Sequence, residues 1–154
     1  MFPYDVDVRF LVGRGNYVSV MILPGQMEVA FLRSPVAHGI LRAVRKPPGR
    51  EADVFVRGDL KGLKSIVAPS TLPHYRDSEH PPLADGKVRL VGEAIALCVA
   101  PSRAEAEDLA EQVEVDIEEL PALVDMHAAK ADATTRVHDH WPDNLFVTMG
   151  MDNG

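Results

Sequence analysis

The chain is poor in several things that whole classes of protein require. A single cysteine, Cys98, occurs in 154 residues, so no internal disulfide can form. Its place inside an apolar run makes it a small buried hydrophobe in preference to a nucleophile or ligand. Positive charge is scarce as well, with 16 Lys and Arg against 23 Asp and Glu and a net charge of −7. No basic stripe offsets that balance, which excludes a nucleic-acid or anionic-membrane surface. No run approaches 18 apolar residues, and the opening MFPYDVD has no charged segment ahead of an apolar core. Neither a membrane span nor a secretory leader is therefore expected, and the expected location is the cytoplasm. Repeats and low-complexity segments are missing too. Gly13-Arg14-Gly15 lacks the third glycine of a dinucleotide fingerprint, since position 18 is Val, and no Lys-Ser/Thr follows as in a phosphate loop. A tight turn accounts for it better.

What is present is one domain's worth of apolar residues, 46% of the chain, enough to bury a core. The pattern is clearest in the second half. Ala94 to Ala100 is an unbroken apolar run, suited to a strand buried on both faces. Ser102 is a preferred helix N-cap with Glu105 three residues on, so each side chain can satisfy open backbone N–H groups of the first turn. Ala106, Leu109, Ala110 and Val113 then form one apolar helical stripe, while Glu107, Asp108, Glu111 and Gln112 face away. The period next drops to two: Val113, Val115 and Ile117 alternate with Glu114, Asp116 and Glu118, the pattern of a strand with one wet face. A helix between two strands makes parallel pairing of those strands the expectation, with a right-handed crossover.

Earlier in the chain, alternation from Met27 to Leu32 predicts a strand ended by Ser34-Pro35. Tyr17 to Leu23 is a further strand candidate that Leu23-Pro24-Gly25 would fold back on it as a hairpin. Val36 to Val44 is ambiguous between helix and strand, and Asp53 to Arg57 predicts a short strand. Between Ala68 and Gly86, Pro69, Pro73, Pro81 and Pro82 mark an irregular stretch. After Asp125 an Ala-rich stretch precedes residues 136–154, which hold the only tryptophan, Trp141.

Candidate chemistry is thin. His138 and His140 could lie on one side of a strand and share a metal, but no third ligand is placed by spacing, and His74 and His80 sit in the irregular stretch. Glu93, beside Gly92 at the mouth of a buried strand, is the carboxylate to inspect for a perturbed pKa; a structural hydrogen-bond acceptor is the plainer role. Ser34 and His38 are of nucleophile and base type, yet a dyad is defined by geometry that spacing does not supply. No catalytic, cofactor-binding or metal residue is assigned on these grounds.

The segments VRLVGEAIALCVA (88–100), SRAEAEDLAEQVEVDIEELPALVD (102–125) and RFLVGRGNYVSVMILPGQMEVAFLRSPVAHGIL (9–41) resemble, in that family's order, the N-terminal module of molybdenum hydroxylase large subunits. These are the xanthine dehydrogenase, aldehyde oxidase and carbon monoxide dehydrogenase family. Two departures stand out: the family's Gly-Glu-Pro is Gly92-Glu93-Ala94 here, and the stretch from Val44 to Lys61 is shorter and more polar, which leaves open the strand order within residues 36–66. The resemblance implies an α+β fold, the α/β-hammerhead domain, with a mixed sheet and a packed helix over 102–112. It implies a hammerhead over residues 1–135 and an extended tail over 136–154 leading toward a molybdopterin-binding domain.

The same resemblance implies oxidation of an aldehyde, an N-heterocycle or carbon monoxide by the complete enzyme, which uses molybdopterin, [2Fe–2S] clusters and FAD. The family's cofactor and general-base residues lie downstream, so none transfers to this chain, and one cysteine cannot ligate the clusters. The implied partners are the molybdopterin-binding domain and the iron–sulfur and FAD subunits, with the domain itself structural and inactive alone. An independent protein-interaction or assembly module of the same fold is the alternative, and a small metal enzyme built on His138 and His140 a third. The run from Leu145 to Met149, with Trp141, is expected to be disordered or to pair with a second copy as a homodimer.

Overall fold

The computed structural model describes residues 8, 10–15, 17, 18, 21–132 and 134–150. Two three-stranded antiparallel sheets, one of them covered by a helix, make up the domain. The first sheet has β7 (Ala94–Ala100) at its centre, with β1 (Glu28–Arg33) and β3 (Val54–Val56) on either side. The second places β2 (Gly39–Arg45) between β6 (Lys87–Val88) and β8 (Glu114–Glu119). A small ladder of β4 (Ile66–Val67) and β5 (Glu79–His80) lies within the proline-rich stretch.

The two-sided burial expected of β7 has a simple cause. Ala96, Cys98 and Ala100 face helix α1 (Arg103–Glu111) and join Ala30, Val54, Ala106, Leu109, Ala110 and Val113 in one cluster. Ile95, on the opposite face, packs with Ala84 and Val88 against Leu41, Val44, Val115 and Ile117 of the second sheet. The strand is thus the shared wall of two cores. Ser102 caps α1 as the sequence predicts, its Oγ accepting from Glu105 N at 3.3 Å. The reciprocal half of the capping box differs: the Glu105 carboxylate accepts the Ser102 hydroxyl at 3.0 Å instead of a backbone N–H.

The expectation of parallel pairing across α1 is overturned. β7 pairs antiparallel with β1 and β3, while β8 crosses to the other sheet and pairs antiparallel with β2. Helix α1 turns the chain between sheets, because its apolar stripe is buried on β1 and β7 while Val115 and Ile117 fill the second core. The two sheets also settle the middle of the chain, where the Val36–Val44 segment supplies most of β2 in the second sheet and Asp53–Arg57 supplies β3 in the first, between two short 3-10 turns.

Of the predicted hairpin only the turn forms, with Gln26 N donating to Leu23 O at 3.0 Å. Tyr17 and Met21 to Leu23 belong to no strand and Val18 sits in a 3-10 turn, while Ser19 and Val20 lie outside the described residues. Gly13-Arg14-Gly15 follows the tight turn in which Gly13 N donates to Phe10 O. No helix among the described residues is long and apolar enough to cross a membrane.

The segment after helix α2 (Met126–Ala131) corrects a further expectation. Trp141 is only 8% exposed, not displayed for a partner. It packs at 4.2 Å between ring centroids on His138 and at 6.1 Å on Phe146, with the Arg76 guanidinium 5.9 Å from its ring. Two polar clamps explain why the segment folds back. Asn144 accepts from Val137 N and donates to the carbonyls of Thr135 and Ala129, and Arg76 forks onto both carboxylate oxygens of Asp143. Phe146 and Met149 remain exposed.

Candidate functional site

The buried polar groups of the chain converge where the start of β2, the turn from β6 to β7 and the segment 136–139 meet. Ser34, His38, Lys87 and Glu93 are all nearly inaccessible. Backbone geometry puts them there. Ser34 N donates to Glu93 O and Gly92 N donates to Ser34 O, each at 2.8 Å, stapling the end of β1 to the turn before β7. Gly92 makes that turn with φ of +87°, a conformation that disfavours side chains. Gly39 lets β2 approach β8 closely: a Cβ there would stand 2.6 Å from Ile117 Cγ2. His38, one residue earlier, is thereby held against Leu120 and Pro121.

Each candidate residue then finds a definite partner. The Ser34 hydroxyl donates to Val36 O at 2.8 Å and accepts from Val36 N. The His38 imidazole Nδ1 donates to Pro121 O at 2.7 Å, across 83 residues of sequence. Ser34 and His38 are thus engaged with separate backbone groups and do not form a nucleophile–base pair. Glu93 Oε2 accepts from Arg89 N at 2.5 Å, and its Oε1 stands 3.9 Å from the Arg89 guanidinium. Its role is the structural acceptor that the sequence suggested as the plainer reading.

Lys87 is the most deeply buried cation among the described residues, and no local pattern marks it. Lys87 Nζ donates to Arg136 O at 2.7 Å and to Asp139 Oδ1 at 2.6 Å. A lone lysine beside Val88 carries no local sign of burial, and the return of the C-terminal segment covers it. Contact with Lys87 holds the Asp139 carboxyl below the usual carboxylate range. Burial, reinforced by the nearby charges of Arg89 and Lys87 and by His140, pushes the His138 imidazole down, favouring its neutral form. His138 and His140 stand 6.0 Å apart between ring centroids, both against Trp141. Among the described residues no group of three His, Cys, Asp or Glu side chains converges as a metal site. Cys98 is fully buried and its thiol is pushed up by burial. His74 and His80 lie on the irregular stretch, and His80 lines a cavity of about 190 Å³ with Glu79, Arg89, Glu93 and His138. A second cavity of about 210 Å³ shares Arg89 and has His38 in its wall. The chemistry available in both is hydrogen bonding by fixed groups.

Comparison with known proteins agrees with this geometry. The family described as "Aldehyde oxidase and xanthine dehydrogenase, a/b hammerhead domain" matches residues 12–121. The carbon monoxide dehydrogenase large chain of Hydrogenophaga pseudoflava is 35% identical over 133 residues, covering 82% of this chain and 16% of that protein. The aldehyde oxidoreductase of Megalodesulfovibrio gigas is 32% identical over 166 residues, covering 99% of this chain and 18% of the other. Among solved structures, quinoline 2-oxidoreductase from Pseudomonas putida 86 superposes with a TM-score of 0.83 at 36% identity, over 92% of this chain and 19% of that one. The chain thus spans under a fifth of the length of these relatives. It belongs to the α/β-hammerhead domain of the aldehyde oxidase and xanthine dehydrogenase family, the molybdenum hydroxylases.

Proposed function

We propose that this domain serves as the structural, subunit-contact part of a molybdopterin-dependent hydroxylase or dehydrogenase and carries no catalytic residue itself. The complete enzyme would oxidise an aldehyde, an N-heterocycle or carbon monoxide in the cytoplasm. The observation that carries this reading is how the buried polar groups are spent: Ser34 on Val36, His38 on Pro121, Glu93 on Arg89 and Lys87 on Asp139. Ser34, Glu93 and Lys87 are held on fixed partners that link loops, and the Ser34 hydroxyl is not paired with His38 as a nucleophile would be with its base.

The family's cofactors do not fit onto the residues of this site. A [2Fe–2S] cluster takes several thiolates, and the lone Cys98 is sealed within β7. Lys87, the buried cation, faces Asp139 and a carbonyl, and so offers no open anchor for an anionic pterin. Molybdenum, clusters and flavin therefore belong to the large domain and to partner subunits, as proposed for iron–sulfur and FAD chains.

Co-expression with a large molybdopterin-binding domain of this family tests the proposal. The expected result is a co-purifying complex that contains molybdenum and oxidises a substrate, whereas the chain purified alone is colourless and holds no molybdenum, iron or flavin. Near one equivalent of molybdenum on the isolated chain would overturn it.

A further inference from the structure

Away from the buried polar site, a groove of about 320 Å³ runs between residues 30–33 of β1 and Arg103, Glu107 and Glu111 of α1. β1 pairs with β7 alone, so its other edge has no strand partner among the described residues. Ser34 gives both its N–H and its carbonyl to the turn before β7. The irregularity in this ladder falls on β7, where Ala94 and Ala96 oppose Arg33 and Leu32, so alternation runs unbroken along β1. Val29, Phe31 and Arg33 therefore aim their backbone groups out of the sheet. The Val29 carbonyl accordingly accepts from a side chain of α1, Arg103 Nη1 at 3.3 Å. Free edges are usually blunted by proline, lysine or a bulge, and EVAFLR has none of these on its own strand. Ala30 and Leu32 face the core under α1, while Phe31, on the opposite face, is 43% exposed.

We propose that a second copy of the chain docks on this edge, β1 pairing antiparallel with its own equivalent so that the two first sheets become one. The edge is self-complementary, as a two-fold contact requires. A two-fold axis normal to the sheet at Phe31 sets Phe31 opposite its counterpart and Val29 opposite the second copy's Arg33, using every outward backbone group of the strand. Helix α1 is buried against both β1 and β7 and so lies over the space between them. With strands about 4.8 Å apart, the axis brings the two helices to about 10 Å, a packing distance for helices. The charges match as well. α1 runs beside β1 from Arg103 at Val29 toward Arg33, and that length of strand, about 13 Å, equals about nine helical residues, which places Glu111 beside Arg33. The two-fold thus lays Arg103 of each copy against Glu111 of the other. Arg103 holds Glu107 through Nε and Val29 O through Nη1, which leaves Nη2 for that carboxylate. Glu111 is exposed and has no ion pair among the described residues. The contact is a property of this chain and does not rest on the assembly reading above.

Sedimentation velocity of the intact chain over a wide concentration range should show a reversible monomer–dimer equilibrium. Arg103→Glu and Glu111→Arg should each weaken the dimer by at least about tenfold. Together they should restore it, because the charges are then merely exchanged between copies. The monomer tolerates both changes: the side chains are exposed, and a carboxylate in the first turn and a guanidinium in the last suit the helix dipole. Phe31→Pro removes an outward N–H that the β7 ladder does not use, and should abolish dimerisation with the circular dichroism unchanged. Amide hydrogen exchange separates this edge from any other contact. Phe31 and Arg33 should exchange quickly in dilute solution and become protected as the dimer forms, whereas Ala30 and Leu32 should be protected throughout. A monomer at every concentration would overturn the proposal. So would a dimer that leaves the Phe31 amide unprotected, or one that the double reversal fails to restore.

Discussion

Leu109 is the residue whose truncation the structure prices most sharply. It is 1% exposed at the centre of the stripe by which α1 meets β1 and β7. Its surroundings are mostly short side chains, Ala30, Ala96, Cys98, Ala100, Ala106 and Ala110. None can swing into a vacated volume, and both the helix and the sheet are held by their own ladders, so little of the cavity left by Leu109→Ala can collapse. Buried Leu→Ala changes cost about 2–5 kcal/mol according to how far the site relaxes, and this site belongs in the upper half, about 3–5 kcal/mol. With a urea dependence of about 1.5–2 kcal/mol per molar for a domain of this size, the denaturation midpoint should fall by roughly 2 M. Glu107→Ala on the outer face is the control. Its one partner is Arg103, in a pair whose side chains are more than half exposed, a kind of contact that contributes about 0.3–0.5 kcal/mol at most. The two variants should therefore differ about tenfold in ΔΔG by urea titration of backbone circular dichroism. Equal midpoints would refute the assigned helix face and, with it, the account of β7 as a wall shared by two cores.

Other consequences follow from the same contacts. The Arg76 fork holds the Asp143 carboxyl down to about 2, against an ordinary value of 3.8; a depressed carboxylate stabilises above its unfolded pKa and loses that contribution as pH falls. Trp141 fluorescence should thus report release of segment 136–149 between about pH 4 and pH 2, and Asp143→Asn should flatten that transition. Ser102→Ala should cost about 1 kcal/mol by removing the N-cap of α1, and Ser102→Gly only a few tenths, measured by thermal melting. Cys98 should resist a thiol-reactive disulfide reagent in the native chain and react fully in denaturant, because it is buried and its thiolate is disfavoured; stoichiometric labelling without unfolding would contradict the packing of β7.

Several local features were legible in the chain itself, and for a common reason. Helix α1, its Ser102 cap, the alternation of β8 and the two-sided burial of β7 each depend on residues within a dozen positions of one another, where period and capping chemistry act directly. The family likewise announced itself through runs of ordered motifs spread over most of the sequence. What the sequence left undecided were contacts between distant segments. Whether β8 pairs with β7 or with β2 turns on which apolar core receives Val115 and Ile117, and no local pattern distinguishes the two. The burial of Lys87 depends on Arg136 and Asp139 some 50 residues away, and the His38 imidazole finds its partner, Pro121 O, only across 83 residues. Local sequence determined the elements and their faces; the tertiary structure alone decided which faces meet, because loop closure over such separations is governed by the packing of the whole chain.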